Sequence, residues 1–160
     1  MSVVLARVDN RLIHGQVLEA WIPSTKANCL VVANNKIADE GLHKRLMAAA
    51  VPRGIQVVIE SVEDSARFVS SPDNDALRVL VLFASPDDAL HAYRSGLHFP
   101  QLNLGNLHRP QGLHQLGCTV TLDRDDVENL EKLESEGVEI VLQCIPSDRQ
   151  LGWRAVLKDK

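Results

Sequence analysis

The chain contains 160 residues, of which 17 are Lys or Arg and 21 are Asp or Glu, so its formal net charge is −4. This length fits one domain, and the 45% of hydrophobic and 24% of charged residues exclude intrinsic disorder. The acidic balance and the 4% of aromatic residues argue against broad nucleic-acid binding, because no basic run can track a phosphate backbone and few rings can stack on bases.

Three cysteines and the N-terminal charges bear on the cellular compartment. Cys29, Cys118 and Cys144 each lie in an apolar run without a short pairing motif, which is typical of buried, reduced thiols in a cytosolic protein. Arg7 and Asp9 lie where a signal peptide would need an apolar segment, and no run approaches the roughly 18 apolar residues of a membrane-spanning helix. We therefore expect a cytoplasmic protein.

In the first half of the chain, short apolar runs alternate with helical patterns. The predicted strands are Val3–Val8, Cys29–Ala33 and Ile55–Ile59. The first predicted helix, Gln16–Trp21, ends before Pro23. The second spans Ile37–Ala50, and the helical spacing of its apolar residues predicts a packing face composed of Leu42, Leu46 and Ala49.

The second half of the chain repeats this alternation. The predicted strands are Leu77–Phe83, Gln101–Leu104, Thr119–Leu122 and Val138–Cys144. Small polar residues that can accept hydrogen bonds from free backbone N–H groups predict the helix starts. These N-terminal caps are Ser61, Ser85 and Asp123.

Strands that alternate with helices, and that are mostly apolar along their whole length, predict an α/β fold with a mainly parallel sheet covered on both faces. We expect one domain over residues 1–160. In such sheets ligands bind beyond the carboxyl ends of the strands. The loops that follow the first strand and Leu104 carry the most reactive side chains, so we expect the active site at this edge.

The loop after the first strand combines groups that can hold a phosphoryl group. Much of a histidine population is uncharged near neutral pH, so His14 offers a ring nitrogen as a nucleophile. Arg11 offers a planar set of donors suited to phosphate, and a helix that begins near Gly15 would direct free N–H groups to the same place. Phosphoryl transfer depends mainly on such positioning and charge stabilisation.

From these residues alone, other roles remain open. A histidine between a strand and a helix is more often structural or exposed than catalytic. Arg11 can equally be the partner of a surface ion pair, and Gly15 a turn residue. A domain that binds a small ligand or an anion, without covalent modification of His14, also fits. Six histidines without a short metal-ligand spacing do not predict a metal site.

Three segments together resemble a known family. The segment from Arg7 to Val17, with Trp21 following, is similar to the phosphorylation-site segment of the IIB components of mannose/fructose/sorbose-family bacterial sugar phosphotransferase systems (PTS). Residues 102–108 resemble the family's later Asn–x–Gly–Gly–x–His loop, and residues 138–148 resemble its C-terminal strand and Pro–Thr/Ser–Asp ending. The resemblance covers about residues 2–150, and the first motif is highly specific.

The resemblance implies a three-layer α/β/α fold and a protein-Npi-phosphohistidine–sugar phosphotransferase. His14 would accept a phosphoryl group on Nδ1 from a IIA protein or domain. It would deliver the group to a sugar while membrane IIC and IID components move that sugar inward. Arg11 matches the family's phosphate-binding arginine. The resemblance implies neither an organic cofactor nor a metal, and it places the protein at a membrane transport complex. Family members often form dimers.

The resemblance also assigns supporting residues. Asp9 would orient Arg11 or His14, Asn10 would support the phosphate site beside it, and Gly15 and Gln16 would shape the loop and supply N–H donors. His108 matches the family's loop histidine and would bind phosphate or the partner, or serve only as a loop residue. Of the remaining loop residues, Arg109 and His114 would add positive charge or play structural roles.

This chain departs from the family pattern at two positions. Many relatives carry two acidic residues where this chain has Asp9 and Asn10, and many carry a second glycine at Asn106. Asn tolerates a left-handed backbone better than most residues, so the loop can form with Asn106. Both changes leave His14 and Arg11 intact, so we expect them to affect transfer rate, donor preference or sugar specificity more than the capacity to be phosphorylated. A regulatory module whose phosphorylation state is read by another protein, without sugar transport, is the alternative.

Overall fold

A mixed sheet in which six neighbouring strands run parallel forms the centre of the molecule. The computed structural model describes residues 2–109, 114–116 and 120–158. Its strands are Val3–Val8 (β1), Cys29–Ala33 (β2), Gln56–Glu60 (β3), Val79–Phe83 (β4), Gln101–Leu104 (β5), His114–Leu116 (β6), Val120–Leu122 (β7), Glu139–Leu142 (β8) and Leu151–Gly152 (β9). The central sheet has the order β3-β2-β4-β1-β5-β8-β9, in which β9 pairs antiparallel with β8.

Helices cover both faces of this sheet. They are Ile22–Thr25 (α1), Asn35–Asp39 (α2), Gly41–Ala49 (α3), Val62–Ser70 (α4), Pro86–Arg94 (α5), Arg124–Ser135 (α6) and Trp153–Lys158 (α7). A π-helical turn, Val17–Trp21, precedes α1, and a short 3-10 helix, Pro72–Asn74, follows α4.

The core consists of two apolar clusters, one on each face of the sheet. In β4, Val79, Val81 and Phe83 join the cluster that contains residues of α4, α5, α6 and α7. Leu80 and Leu82 join the opposite cluster, with residues of the π-helical turn, α1 and α2. Because side chains alternate along a strand, both faces of β4 are buried and its sequence is apolar throughout. The predicted three-layer α/β/α architecture is confirmed.

The three predicted helix caps are confirmed, since the side chains of Ser61, Ser85 and Asp123 each accept a hydrogen bond from the backbone N–H three residues later. At Asp123 the bond is reciprocal, because the Asp126 side chain accepts from the Asp123 N–H. Each cap satisfies an N–H group that the helix leaves free at its first turn.

The prediction for Ile37–Ala50 was wrong in two respects. The segment forms two helices that meet at Glu40, whose backbone is not helical. Leu42 and Leu46, the expected packing residues, are 66% and 62% exposed. Met47 and Ala48 contact the core instead. Apolar spacing identifies a helix face, but the position of the break sets which face meets the sheet.

The end of the first helix also differs from the prediction. The first helix continues through Pro23 to Thr25 and ends at Lys26, which has a φ of 56°. In the π-helical turn the Ile22 N–H donates to the Val17 carbonyl, and this wider bonding pattern accommodates a residue without an N–H. Val120–Leu122 pairs antiparallel with β6 in a separate two-stranded sheet, and Thr119 lies outside the described residues.

The cysteines differ in state. Cys29 is buried and free, and burial raises the pKa of its thiol to about 11. Cys144 is disulfide-bonded, so the expectation of a reduced thiol was wrong there. Spacing along the sequence does not report distance in space. Cys118 lies outside the described residues. Within the described part of the chain, no helix is long and apolar enough to cross a membrane.

Candidate active site at the carboxyl edge of the sheet

Backbone hydrogen bonds fix the loop that leaves β1. The Asp9 N–H donates to the Phe83 carbonyl at the end of β4, with an N–O distance of 2.8 Å. The Asn10 N–H donates to the Asn106 carbonyl beyond β5, also at 2.8 Å. The start of the loop is therefore held between the two strands that flank β1, as expected for a site at the carboxyl edge.

His14 and Asp9 form the closest polar pair of this loop. His14 Nε2 lies 2.7 Å from Asp9 Oδ2, while Asp9 Oδ1 accepts from the Arg11 backbone N–H at 3.1 Å. Leu12, between them, is buried with a φ of 57°, a conformation that non-glycine residues adopt rarely. The loop thus carries local strain close to the histidine.

The contact with Asp9 assigns different roles to the two ring nitrogens of His14. An ionised carboxylate only accepts hydrogen bonds, so Nε2 carries the hydrogen and Nδ1 of the neutral ring holds a lone pair. Nδ1 is buried and has no hydrogen-bond partner among the described residues. The imidazole is itself 8% exposed. The arrangement presents Nδ1 as the basic, nucleophilic nitrogen.

Asp9 is buried yet favours its charged form. Burial by itself raises the pKa of its carboxyl group, but hydrogen bonds from His14 and Asn106 and the positive charge of Arg7 outweigh that effect. The Asn106 amide nitrogen lies 3.0 Å from Asp9 Oδ2, and Arg7 Nε lies 3.5 Å from the same oxygen. The resulting pKa lies below the ordinary value for aspartate, so Asp9 is an anion at neutral pH.

Arg7 connects the ends of three strands beneath this pair. Its guanidinium donates to the Asn103 side chain and to the carbonyls of Gln143 and Cys144, the last two at 2.8 and 3.1 Å. It lies 4.7 Å from the ring centroid of Trp21, a cation–π contact. Burial lowers the pKa of Arg7, and the Asp9 carboxylate opposes that shift. Arg7 therefore supplies a buried cation behind Asp9.

The predicted site residues do not all meet. Gln16 is half-buried and its Oε1 accepts from the Asn106 amide at 3.3 Å, which joins it to Asp9 and His14. The side chain of Arg11 is exposed, and it makes no hydrogen bond or ion pair with any residue the structure describes. Asn10 and His108 are exposed as well. Gly15 is exposed with open space beside its α-carbon, so the protein itself does not require glycine there.

Four residues of this site were not assigned to it from the sequence, namely Arg7, Asn103, Asn106 and Gln143. A signal was present, because Arg7 and Asn103 are polar residues inside apolar strands. They pair in register across β1 and β5. A buried charge must find a partner, so such a residue marks a built site.

Other predicted charges are structural. Arg109 forms a two-point ion pair with Asp126, with N–O distances of 2.9 and 3.0 Å. The segment from Pro146 to Asp148 forms a turn held by the Gln143 side chain. The side chain of His114 lies outside the described residues. In the described part of the chain, no three His, Cys, Asp or Glu side chains gather in a group that could hold a metal ion.

Comparison with known proteins gives a consistent result. The family model for the PTS system sorbose subfamily IIB component matches residues 3–160. The chain belongs to this family. As a IIB component, it is part of a phosphotransferase system that transports sugar, and IIB components are sugar phosphotransferases as a class.

Relatives with different sugar names match this IIB component over nearly its whole length. The sorbose-specific EIIB component of Klebsiella pneumoniae is 32% identical over 92% of this chain and 90% of its own. The mannose-specific EIIAB component of Escherichia coli K12 is 30% identical over 94% of this chain but 47% of its own length. The crystal structure of the IIBSor domain of the Klebsiella pneumoniae sorbose permease superimposes with a TM-score of 0.92 at 29% identity, over 100% of this chain and 98% of that one.

Proposed function

We propose that this IIB component accepts a phosphoryl group on Nδ1 of His14 and passes it to a sugar. The observation that carries this proposal is the 2.7 Å contact between His14 Nε2 and Asp9 Oδ2. It leaves Nδ1 as the ring nitrogen with a free lone pair. A histidine that is oriented in this way by a carboxylate is a nucleophile prepared for attack.

The donor is a phosphohistidine on a IIA protein or domain. As Nδ1 attacks, a new N–P bond forms on His14 and the N–P bond of the donor breaks, so the donor ring regains its lone pair. The phosphorylated ring carries added negative charge near Asp9, and the exposed guanidinium of Arg11 can offset that charge. Backbone N–H groups near Gly15 add further donors.

The second transfer has a sugar hydroxyl as acceptor. The hydroxyl oxygen forms a P–O bond, the P–Nδ1 bond breaks, and the hydroxyl proton passes to solvent. His14 returns to its starting state with Nε2–H still donated to Asp9. This step takes place with membrane IIC and IID components that move the sugar. The relative in which IIA and IIB share one chain supports a direct contact between those two units.

Phosphorylation by a matched IIA chain tests the proposal. Intact-mass spectrometry should show the addition of one acid-labile phosphoryl group to the wild type and none to His14→Ala. Phosphorus NMR should assign the group to Nδ1 rather than Nε2. His91→Ala is the matched control, because His91 is an exposed histidine on α5 that pairs with Glu63.

Three results would count against the proposal. Wild-type protein that gains no phosphoryl group, when a standard IIB component does so under the same conditions, would remove it. Phosphorylation that persists in His14→Ala would place the group elsewhere. Phosphorylation on His14 without sugar uptake in a complete transport system would instead support the regulatory alternative.

A further inference from the structure

Asn106 joins the two parts of the site that lie on different elements. Its side-chain amide donates to Asp9 Oδ2 at 3.0 Å and to Gln16 Oε1 at 3.3 Å. Asp9 follows β1, and Gln16 directly precedes the π-helical turn. Asn106 itself lies beyond β5 and is 5% exposed. One amide group therefore bridges two residues that lie on either side of His14 in the sequence, Asp9 before it and Gln16 after it.

The chemistry of the two acceptors fixes the orientation of this amide. Carboxylate oxygens cannot donate, so the NH₂ group of Asn106 must face Asp9. An asparagine NH₂ has two hydrogens, and here each has an acceptor. The amide is the second donor to Oδ2, which also accepts from His14 Nε2. Asn106 and His14 thus share one carboxylate oxygen.

We propose that Asn106 is a positioning residue, which holds the Asp9 carboxylate and Gln16 in the arrangement that presents His14 Nδ1 for phosphoryl transfer. This inference rests on the proposed function of His14. It extends that function to a residue whose side chain reaches His14 only through Asp9. A glycine at this position has no side chain and provides no such donor.

The role of the Asn106 side chain can be separated from the role of the Asn106 backbone. The Asn106 carbonyl accepts from the Asn10 N–H, and any residue provides that bond. Asn106 does not have a positive φ, so asparagine is not needed there for a left-handed backbone. What asparagine adds is the pair of side-chain donors.

Removal of the Asn106 side-chain donors should raise the pKa of the Asp9 carboxyl group. The titratable groups that face the Asp9 carboxylate are the charged Arg7 and the imidazole of His14, and the other donors are the Asn106 amide and the Arg11 backbone N–H. The Asn106 bond lowers the pKa of Asp9, so its loss should raise that pKa. Asn106→Asp conserves volume and adds a second carboxylate, and it should raise that pKa further.

Carbon NMR of the Asp9 carboxyl group measures this effect without any phosphoryl donor. The titration midpoint should move to higher pH in Asn106→Gly and further in Asn106→Asp. Nitrogen NMR should show less of the neutral His14 ring with hydrogen on Nε2 in Asn106→Gly. Asn74→Gly is the matched control, because Asn74 lies in the 3-10 helix that follows α4 and its side-chain amide donates to the Phe68 carbonyl of α4. It should leave both spectra unchanged.

Single-turnover transfer from phosphorylated IIA provides the second measurement. We expect about a tenfold lower rate for Asn106→Gly, the effect of losing one hydrogen bond to a charged group, and a larger fall for Asn106→Asp. If the midpoint and the rate of Asn106→Asp equal those of the wild type, the positioning role is wrong. The NMR measurements need no phosphoryl donor. A failure of the proposed phosphoryl transfer can therefore be distinguished from a failure of the positioning role of Asn106.

Discussion

The guanidinium of Arg7 fills the space beside the α-carbon of Gly105 that any side chain would enter. A Cβ built at Gly105 meets the Arg7 side chain before any other group. Gly105 directly follows β5 and its N–H donates to the Val8 carbonyl of β1. Glycine at this position therefore leaves room for the buried side chain of Arg7 beneath Asp9. The packing at the end of β1 thus depends on the residue that follows β5.

Gly105→Ala should destabilise the fold and slow phosphorylation together. The methyl group displaces the guanidinium from its partners, and overpacking of this kind costs about 1–3 kcal/mol in free energy of unfolding. Urea denaturation followed by circular dichroism measures the loss. Gly41→Ala is the control, because a Cβ there meets open space at the start of α3 and should cause no loss. Equal stabilities for the two variants would contradict this account of Gly105.

Arg11→Lys should slow phosphoryl transfer and leave stability unchanged. The Arg11 side chain is exposed, so its replacement should alter the free energy of unfolding by less than about 0.5 kcal/mol. Lysine keeps the charge but loses the planar pair of donors that suits phosphate. Single-turnover transfer from phosphorylated IIA, with denaturation in parallel, measures both quantities. An unchanged transfer rate would exclude Arg11 from phosphate binding.

Much of the fold was predictable from local pattern. Apolar β-branched runs located β1 and β2 with the bounds that the structure has, and every residue of β2 is buried, as expected for a strand covered on both faces. The face of α3 was not predictable. The face of α3 that packs on the sheet depends on the break at Glu40 and on contacts with the sheet. The spacing of apolar residues along the sequence does not reveal those contacts.

The candidate site was predictable only where its residues are adjacent in sequence. His14 and Asp9 lie in one loop, and their contact follows from the turn between them. The contacts of Arg7 with Asn103 and Gln143 depend on which strands neighbour β1 and in what register. Those relationships are long-range, so the buried half of the site emerged only from the structure.

Gly15→Ala should separate the needs of the fold from those of phosphoryl binding. Open space surrounds the α-carbon of Gly15 and its φ is not positive, so alanine should be tolerated with little change in unfolding free energy. A methyl group next to His14 would, however, obstruct the approach of a phosphoryl group to the backbone. We expect a lower transfer rate in single-turnover measurements with unchanged stability. Lower stability with an unchanged rate would assign Gly15 a structural role only.

The Asp9 carboxylate should make the free energy of unfolding decrease as the pH falls into the acid range. Burial opposes its ionisation, but the bonds from His14 and Asn106 and the charge of Arg7 lower its pKa in the folded state. A group with a lowered folded-state pKa stabilises the fold fully above its unfolded-state value, about 3.9 for aspartate. That contribution is lost as the pH falls through the folded-state pKa.

Comparison with Asp9→Asn isolates this contribution. The variant leaves the buried Arg7 without its carboxylate, which should cost about 3–5 kcal/mol at neutral pH. Urea unfolding at a series of pH values gives the difference in free energy of unfolding between wild type and variant. This difference should be constant above about pH 5 and smaller below about pH 3.9. Other carboxylates titrate in both proteins and cancel in the difference. A difference that grows as the pH falls would mean that Asp9 is protonated in the folded protein, and the assignment of Nδ1 as the free nitrogen would fail with it.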